Sequence, residues 1–162
     1  MQRRFPARFK YADVLDIGSL DINGNNRYLF QDCSYTGIDL ASGKNVDVIC
    51  PAHKFMGGPF DIVISTEAFE HDKNYVKTLK HIAEYLLRPG GLFLFTCAAP
   101  GRRVHGTYDT DLASSPLTGD YYMSLSEKDI KRAVDLDLVF RRFEFELEES
   151  HADLYFWSIK KG

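Results

Sequence analysis

The stretch Val14-Leu15-Asp16-Ile17-Gly18-Ser19-Leu20-Asp21-Ile22-Asn23-Gly24 decides how the rest of the chain is read. An apolar run that ends in an acid and a glycine, then breaks into small and polar residues, marks a buried parallel strand handing over to a nucleotide-binding turn. Gly18 permits a tight turn and a close backbone approach, and Gly24 closes the segment. Ser19 and Asn23 offer polar contacts, while Asp16 accepts hydrogen bonds from an ammonium or hydroxyl group. Asn25-Asn26-Arg27 is placed to open a helix whose free N–H groups face a ligand.

Working outward, the first strand is expected over 13–17, with a short helix inside 25–32 that turns Tyr28, Leu29 and Cys33 to the sheet. A second strand over 35–39 ends in Asp39, 21 residues after Gly18. That is close to the ~20 expected when a strand-end carboxylate takes the two ribose hydroxyls of a nucleotide; the alternative is that Asp39 caps the turn that begins at Leu40. A third strand over 46–49 leads into Cys50-Pro51-Ala52-His53, and 51–59 is too short for a crossover helix. The fourth strand, 60–65, exits through Thr66-Glu67-Ala68-Phe69-Glu70-His71. A neutral imidazole at His71 suits a general base, the alternative being that it only holds its loop.

Asp72 then caps a helix whose apolar face is Tyr75, Val76, Leu79, Ile82, Ala83 and Leu86, spaced at the 3.6-residue period. Arg88-Pro89-Gly90-Gly91 ends it, and the apolar run 92–97 reads as a central strand covered on both sides. Residues 100–123 form a long irregular loop, expected to fold over the site as a lid. Within it Arg102 suits a substrate carboxylate or phosphate, His105 is a second candidate base, and Tyr121 and Tyr122 would stack on substrate or pack. Ser126 and Asp129 are spaced as a capping box for a helix with Ile130, Ala133 and Val134 on one face. The short link between 143–147 and 154–159 allows only an antiparallel hairpin.

Four blocks in order, VLDIGS (14–19), YTGIDLASG (35–43), FDIVISTEAFEH (60–71) and LLRPGGLFLFTCAAP (86–100), resemble the class I S-adenosylmethionine-dependent methyltransferases, in particular the small type 11 kind. The resemblance implies an α/β, Rossmann-like fold: a seven-stranded, mostly parallel sheet with helices on both faces and a C-terminal antiparallel hairpin. It implies S-adenosylmethionine as cofactor, and methyl transfer to an oxygen or nitrogen of a small polar substrate, with no metal needed. Asp16 and the 18–24 turn (Gly18, Ser19, Asn23, Gly24) would hold the methionine end, Asp39 with Leu40 the ribose, and Ala52 and His53 the adenine. Ser65, Thr66 and Glu67 would lie near the sulfonium. This chain departs from the family pattern at Leu20 and Ile22, where glycines are usual, and at Pro51, where an acid is usual. A nicotinamide-dependent oxidoreductase needs a second glycine where Leu20 stands. A cofactor-binding module of the same fold without catalysis is the other alternative.

The composition sets the outer limits. At 162 residues one domain, 1–162, is expected. A formal net charge of −3 argues against nucleic-acid binding through the overall field. Arg3, Arg4, Arg8 and Lys10 read as a solvated, loosely packed lead-in; no apolar segment follows them, so neither a signal peptide nor a membrane anchor is expected. The short lead-in leaves the site open, or to be covered by the later loop or a second copy in a homodimer. Cys33, Cys50 and Cys97 lack metal or disulfide spacing, and reduced, mostly buried thiols in a cytoplasmic protein are the expectation.

Overall fold

The computed structural model describes residues 3–162. β1 (Asp13–Ile17), β2 (Ser34–Asp39), β3 (Val48–Ile49), β4 (Phe60–Thr66), β5 (Leu87–Ala98), β6 (Phe140–Glu148) and β7 (Asp153–Lys160) form one sheet in the order β3-β2-β1-β4-β5-β7-β6. β1 to β5 pair in parallel, and β7 lies antiparallel to both β5 and β6. The chain order reverses between β1 and β4, so their C-terminal ends flank the crevice where such sheets bind ligands.

The central strands are apolar on both sides, and their alternation separates two cores. Leu15, Val63, Phe93, Phe95 and Phe156 face one side, under α1 (Tyr75–His81), α2 (Glu127–Ala133) and α3 (Leu136–Val139). α1 continues through a wider π turn, Ile82–Leu86, and Leu79, Ile82, Ala83 and Leu86 are buried as their spacing predicts. α2 starts on the expected capping box, with Ser126 N donating to Asp129 Oδ2 at 2.9 Å. Val14, Ile62, Ile64, Leu92, Leu94 and Trp157 face the other side, covered by two 3-10 turns, Pro6–Phe9 and Arg27–Leu29, and the aromatic residues beside them.

Several local expectations need correcting. The segment 25–32 makes a single 3-10 turn and Tyr28 points to solvent; of the three residues expected to face the sheet, only Leu29 and Cys33 pack there. The cause is side-chain competition with a helical backbone: Asn25 accepts from Arg27 N and donates to Asp21, while Asn26 donates to Thr66. The lead-in is not loose, because Phe9 is buried and stacks on Phe30 at 4.8 Å, and Phe5 meets Trp157 edge-on at 5.0 Å. Two of its four basic residues are engaged too, while Arg3 and Lys10 are exposed: Arg8 donates to Gly90 O at 2.9 Å, and Arg4 holds Glu144 through two hydrogen bonds. β3 is shorter than expected, since Val46 and Asp47 fall outside the ladder and the Asp47 carboxylate takes Gly37 N and Arg27. Asp72 braces the start of α1 from outside, accepting from Asn74 N and from the Thr78 hydroxyl. Of the three unpaired cysteines only Cys97 is fully buried. No helix among the described residues is long and apolar enough to cross a membrane.

Candidate active site

A cleft of about 1350 Å³ opens at the C-terminal ends of β1, β2 and β4, with His105 and residues 114–119 of the long loop on its far side. Its floor depends on Gly18. That residue has φ +74°, and a Cβ there would lie 2.4 Å from Ala68 Cβ, so the β1 turn and the β4 exit touch without room for a side chain. Ser65 ties the same strands from below, its hydroxyl donating to Ile17 O at 2.9 Å.

The β1–β2 wall is a braced scaffold. Asp21 accepts from Gly24 N at 3.0 Å and Asn25 Nδ2 at 2.8 Å and pairs with Lys44 at 2.8 Å, which is how the turn runs without the usual glycines at Leu20 and Ile22. Asp39 accepts from Leu20 N and from Ala41 N, both at 3.1 Å, so it organises both turns as well as lining the cleft. Two atoms of this wall differ: Asp16 Oδ1 and Ser19 Oγ are buried with no partner. Asp16 Oδ2 accepts from the Tyr35 hydroxyl at 2.5 Å, and burial pushes the carboxyl up to about 6 despite that bond.

The β4 wall is built differently. Glu67 holds φ +50°, a left-handed conformation uncommon outside glycine, with its N–H bonded to Thr96 O. Glu67 Oε2, both Glu70 oxygens and both His71 nitrogens are buried without a partner in hydrogen-bond geometry. Burial, and then the charge of Glu67, push the Glu70 carboxyl up. Burial, and then His105, lower His71 to about 4, although the Tyr121 carbonyl approaches it and pulls the other way. His71, His105 and Tyr122 stack mutually edge to face, with ring centroids 5.0 to 5.4 Å apart.

The fold brings nearly all the residues singled out in the sequence to this one cleft: Asp16, Gly18, Ser19, Asn23, Gly24, Asp39, Leu40, Ala52, His53, Ser65, Thr66, Glu67, His71, His105 and Arg102 line it. Tyr121 and Tyr122 do not. Tyr121 donates to Met123 Sδ, and Tyr122 packs behind the two imidazoles. Arg102 lines the cleft with one amino group committed to Asp153 at 2.7 Å and His151 O at 3.0 Å. A His71 that loses its proton near pH 4 is also a weak base at neutral pH. Glu70 was passed over in the sequence, although its place directly before His71 and three residues after Glu67 was visible there. Asp72, Lys54, Lys73, Lys77 and the loop residues 114–119 also face the cleft, and only the folded chain brings them in.

A family model described as a methyltransferase domain matches residues 1–150. Among solved structures, Burkholderia thailandensis 1,6-didemethyltoxoflavin-N1-methyltransferase, with bound 1,6-didemethyltoxoflavin and S-adenosylhomocysteine, aligns at TM-score 0.65 and 19% identity over 98% of this chain and 75% of its own. Haemonchus contortus phosphoethanolamine N-methyltransferase 2, in complex with S-adenosyl-L-methionine, aligns at 0.68 and 16% over 99% of this chain and 52% of its own, so this chain spans about half that enzyme. The N-methyltransferase NodS from Bradyrhizobium japonicum WM9, in complex with S-adenosyl-l-homocysteine, aligns at 0.63 and 13% over 99% of this chain and 87% of its own. Comparison with curated proteins finds no match. At these identities the likeness to the solved structures is one of fold.

Proposed function

Because this chain belongs to the methyltransferase-domain family, we propose that it transfers a methyl group from S-adenosylmethionine to an oxygen or nitrogen of a small polar acceptor. The observation that carries the reading is the cleft floor. Gly18 lies where any Cβ would collide with Ala68, and beside it Asp16 Oδ1 and Ser19 Oγ are buried with no protein partner. A buried acceptor and hydroxyl left open at a nucleotide-type turn fit the polar end of a bound cofactor. A cleft of about 1350 Å³ also exceeds the ~300–1,000 Å³ usual for one small ligand, leaving space for an acceptor.

In this reading Asp16, Ser19, Asn23 and Gly24 hold the methionine end of the cofactor. Asp39 and Leu40 hold the ribose, using the carboxylate lone pairs that Leu20 N and Ala41 N leave free. Ala52 and His53 border the adenine through backbone and ring, since Pro51 has no side-chain acceptor. Ser65, Thr66 and Glu67 border the sulfonium. When bound, the cofactor supplies an electrophilic methyl group. The protein orients the acceptor and excludes water, with His71, His105 and Arg102 on the acceptor side and 114–119 as cover.

Calorimetric titration with S-adenosylmethionine, S-adenosylhomocysteine and NAD tests this. The first two should bind at about micromolar strength, roughly −8 kcal/mol, and NAD should not. No binding of either by folded protein removes the reading. Asp39→Ala should weaken cofactor binding by about 1–3 kcal/mol; an unchanged affinity takes Asp39 out of the site. The engagement of Arg102 with Asp153 favours a second reading, a cofactor-binding module without turnover. Methyl loss to any member of an oxygen and nitrogen acceptor panel rules that out.

A further inference from the structure

The unpartnered atoms of Glu70 and His71 on the β4 wall lie beside His105. Glu70, His71 and His105 each bring one ligating atom into a group whose members all lie within 4.8 Å of one another. Glu70 is fully buried and His71 nearly so, and neither has a hydrogen-bond partner for its side-chain polar atoms. The ion pair available to Glu70 is a loose one, with His105 Nε2 4.0 Å from Oε1. A buried carboxyl and a buried imidazole without protein partners, beside a second imidazole whose Nδ1 meets Arg103 O at 3.2 Å and whose Nε2 is left toward Glu70, are what a ligand set looks like before its ion arrives.

We infer that Glu70, His71 and His105 bind a first-row divalent transition ion at the acceptor end of the cleft, an inference that builds on the methyltransferase reading only for the ion's role. Two imidazoles and one carboxylate are the donor set that zinc, iron and manganese take with coordination positions left open, whereas calcium and magnesium favour all-oxygen sites. His71 and His105 line the cleft, so open positions face the acceptor space. An ion held at ~2.1 Å keeps its ligand atoms ~3–3.5 Å apart, so the set must draw in by about an ångström. His105 is the member able to move, on the long loop and about a third exposed. His71 is the fixed one: Tyr122 packs against its ring, and a Cβ on Gly106 would come within 2.7 Å of its Cε1. Glu67 Oε2, buried and unpartnered on the same exit, offers a further oxygen. The ion's role is to hold the acceptor through an oxygen or nitrogen lone pair, which replaces the expectation that no metal takes part.

The test uses chelator-treated full-length protein titrated with Zn²⁺ by calorimetry and with Co²⁺ by visible absorption. The expected result is one ion per chain and a Co²⁺ spectrum of mixed nitrogen and oxygen ligation. His105→Ala and Glu70→Gln should each weaken binding by about tenfold or more. His105→Ala lies on a surface loop, so it keeps the test valid should Glu70→Gln not fold. His151→Ala, in the exposed Glu148–His151 pair, is the control and should bind as the parent does. Absence of stoichiometric binding, or parental affinity in folded His105→Ala, overturns the inference; a loss confined to His151→Ala does so as well, by placing the ion at the exposed pair. The failures separate cleanly: a chain that binds S-adenosylmethionine but no ion loses this site alone, and one that binds the ion but no S-adenosylmethionine loses the methyltransferase reading alone.

Discussion

The two walls of the cleft are built on opposite terms. On the β1–β2 side Asp21, Asp39 and Asp47 each hold two or more partners, from Lys44, Arg27 and five surrounding backbone and amide groups. On the β4 side Glu67, Glu70 and His71 bury polar atoms that nothing in the chain satisfies. A buried polar group left unsatisfied costs about 1–3 kcal/mol, a penalty that the first wall mostly avoids and the second carries several times over. The first wall is therefore a scaffold whose shape needs no ligand. The second is held in a state that only a ligand completes, and such local violations of folding rules mark functional positions.

The strongest way to break this contrast is at the seam where the walls meet. Gly18→Val places a β-branched side chain at φ +74° and within contact of Ala68, and should lower stability by about 3–5 kcal/mol and abolish cofactor binding. Urea denaturation and calorimetry read both. A variant that keeps parental stability would show that the walls are not in the close contact described. A smaller and more telling comparison sets one carboxylate from each wall side by side. Asp47→Ala removes acceptors for Gly37 N–H and Arg27 and should destabilise by about 1–3 kcal/mol. Glu70→Met replaces an unsatisfied buried carboxyl with an apolar side chain of similar size, and should stabilise the metal-free protein by about 1–2 kcal/mol. Equal signs for the two substitutions would refute the distinction between a paired and an unpaired wall.

The paired wall and the unpaired wall were also unequally legible in the sequence. Strand runs such as 14–17, 60–65 and 92–97 announce themselves because both faces of a central strand are buried, and α1 does so through its period. The sheet order and the place of the cleft were implied by the resemblance of the four motif blocks to the methyltransferases, not by these runs alone. What stayed hidden depends on side chains that compete with the backbone or meet across the fold. Asn25 and Asn26 break the expected helix by bonding Arg27, Asp21 and Thr66. The lead-in looks polar by composition, yet Phe5 and Phe9 anchor it onto Trp157 and Phe30. His105 reaches Glu70 and His71 only because the loop folds back, with Gly106 against His71, a contact between residues more than thirty positions apart that no local spacing encodes.

The finest test of the contrast is one of its two exceptions, Asp16, which sits on the scaffold side with Oδ1 unpartnered, as Ser19 Oγ is. Its carboxyl titrates near 6 in the folded chain against an ordinary value of 3.8, so the folded state binds its proton more tightly than the unfolded state does. Stability from this group is therefore present at low pH and falls as pH rises from about 4 through 6; between pH 5 and 7 the loss is about 1 kcal/mol. Asp16→Asn keeps an acceptor for the Tyr35 hydroxyl and removes the titration, so its urea midpoint should fall less between those pH values than the parent's. Because other groups titrate in the same window, the difference between the two slopes is the quantity to read. Saturating S-adenosylmethionine should shrink the parent's slope toward that of Asp16→Asn, since an ammonium beside the carboxylate favours its charged form. A slope that is the same in parent and variant would place Asp16 with its satisfied neighbours, and one that ignores the cofactor would move the methionine end away from it.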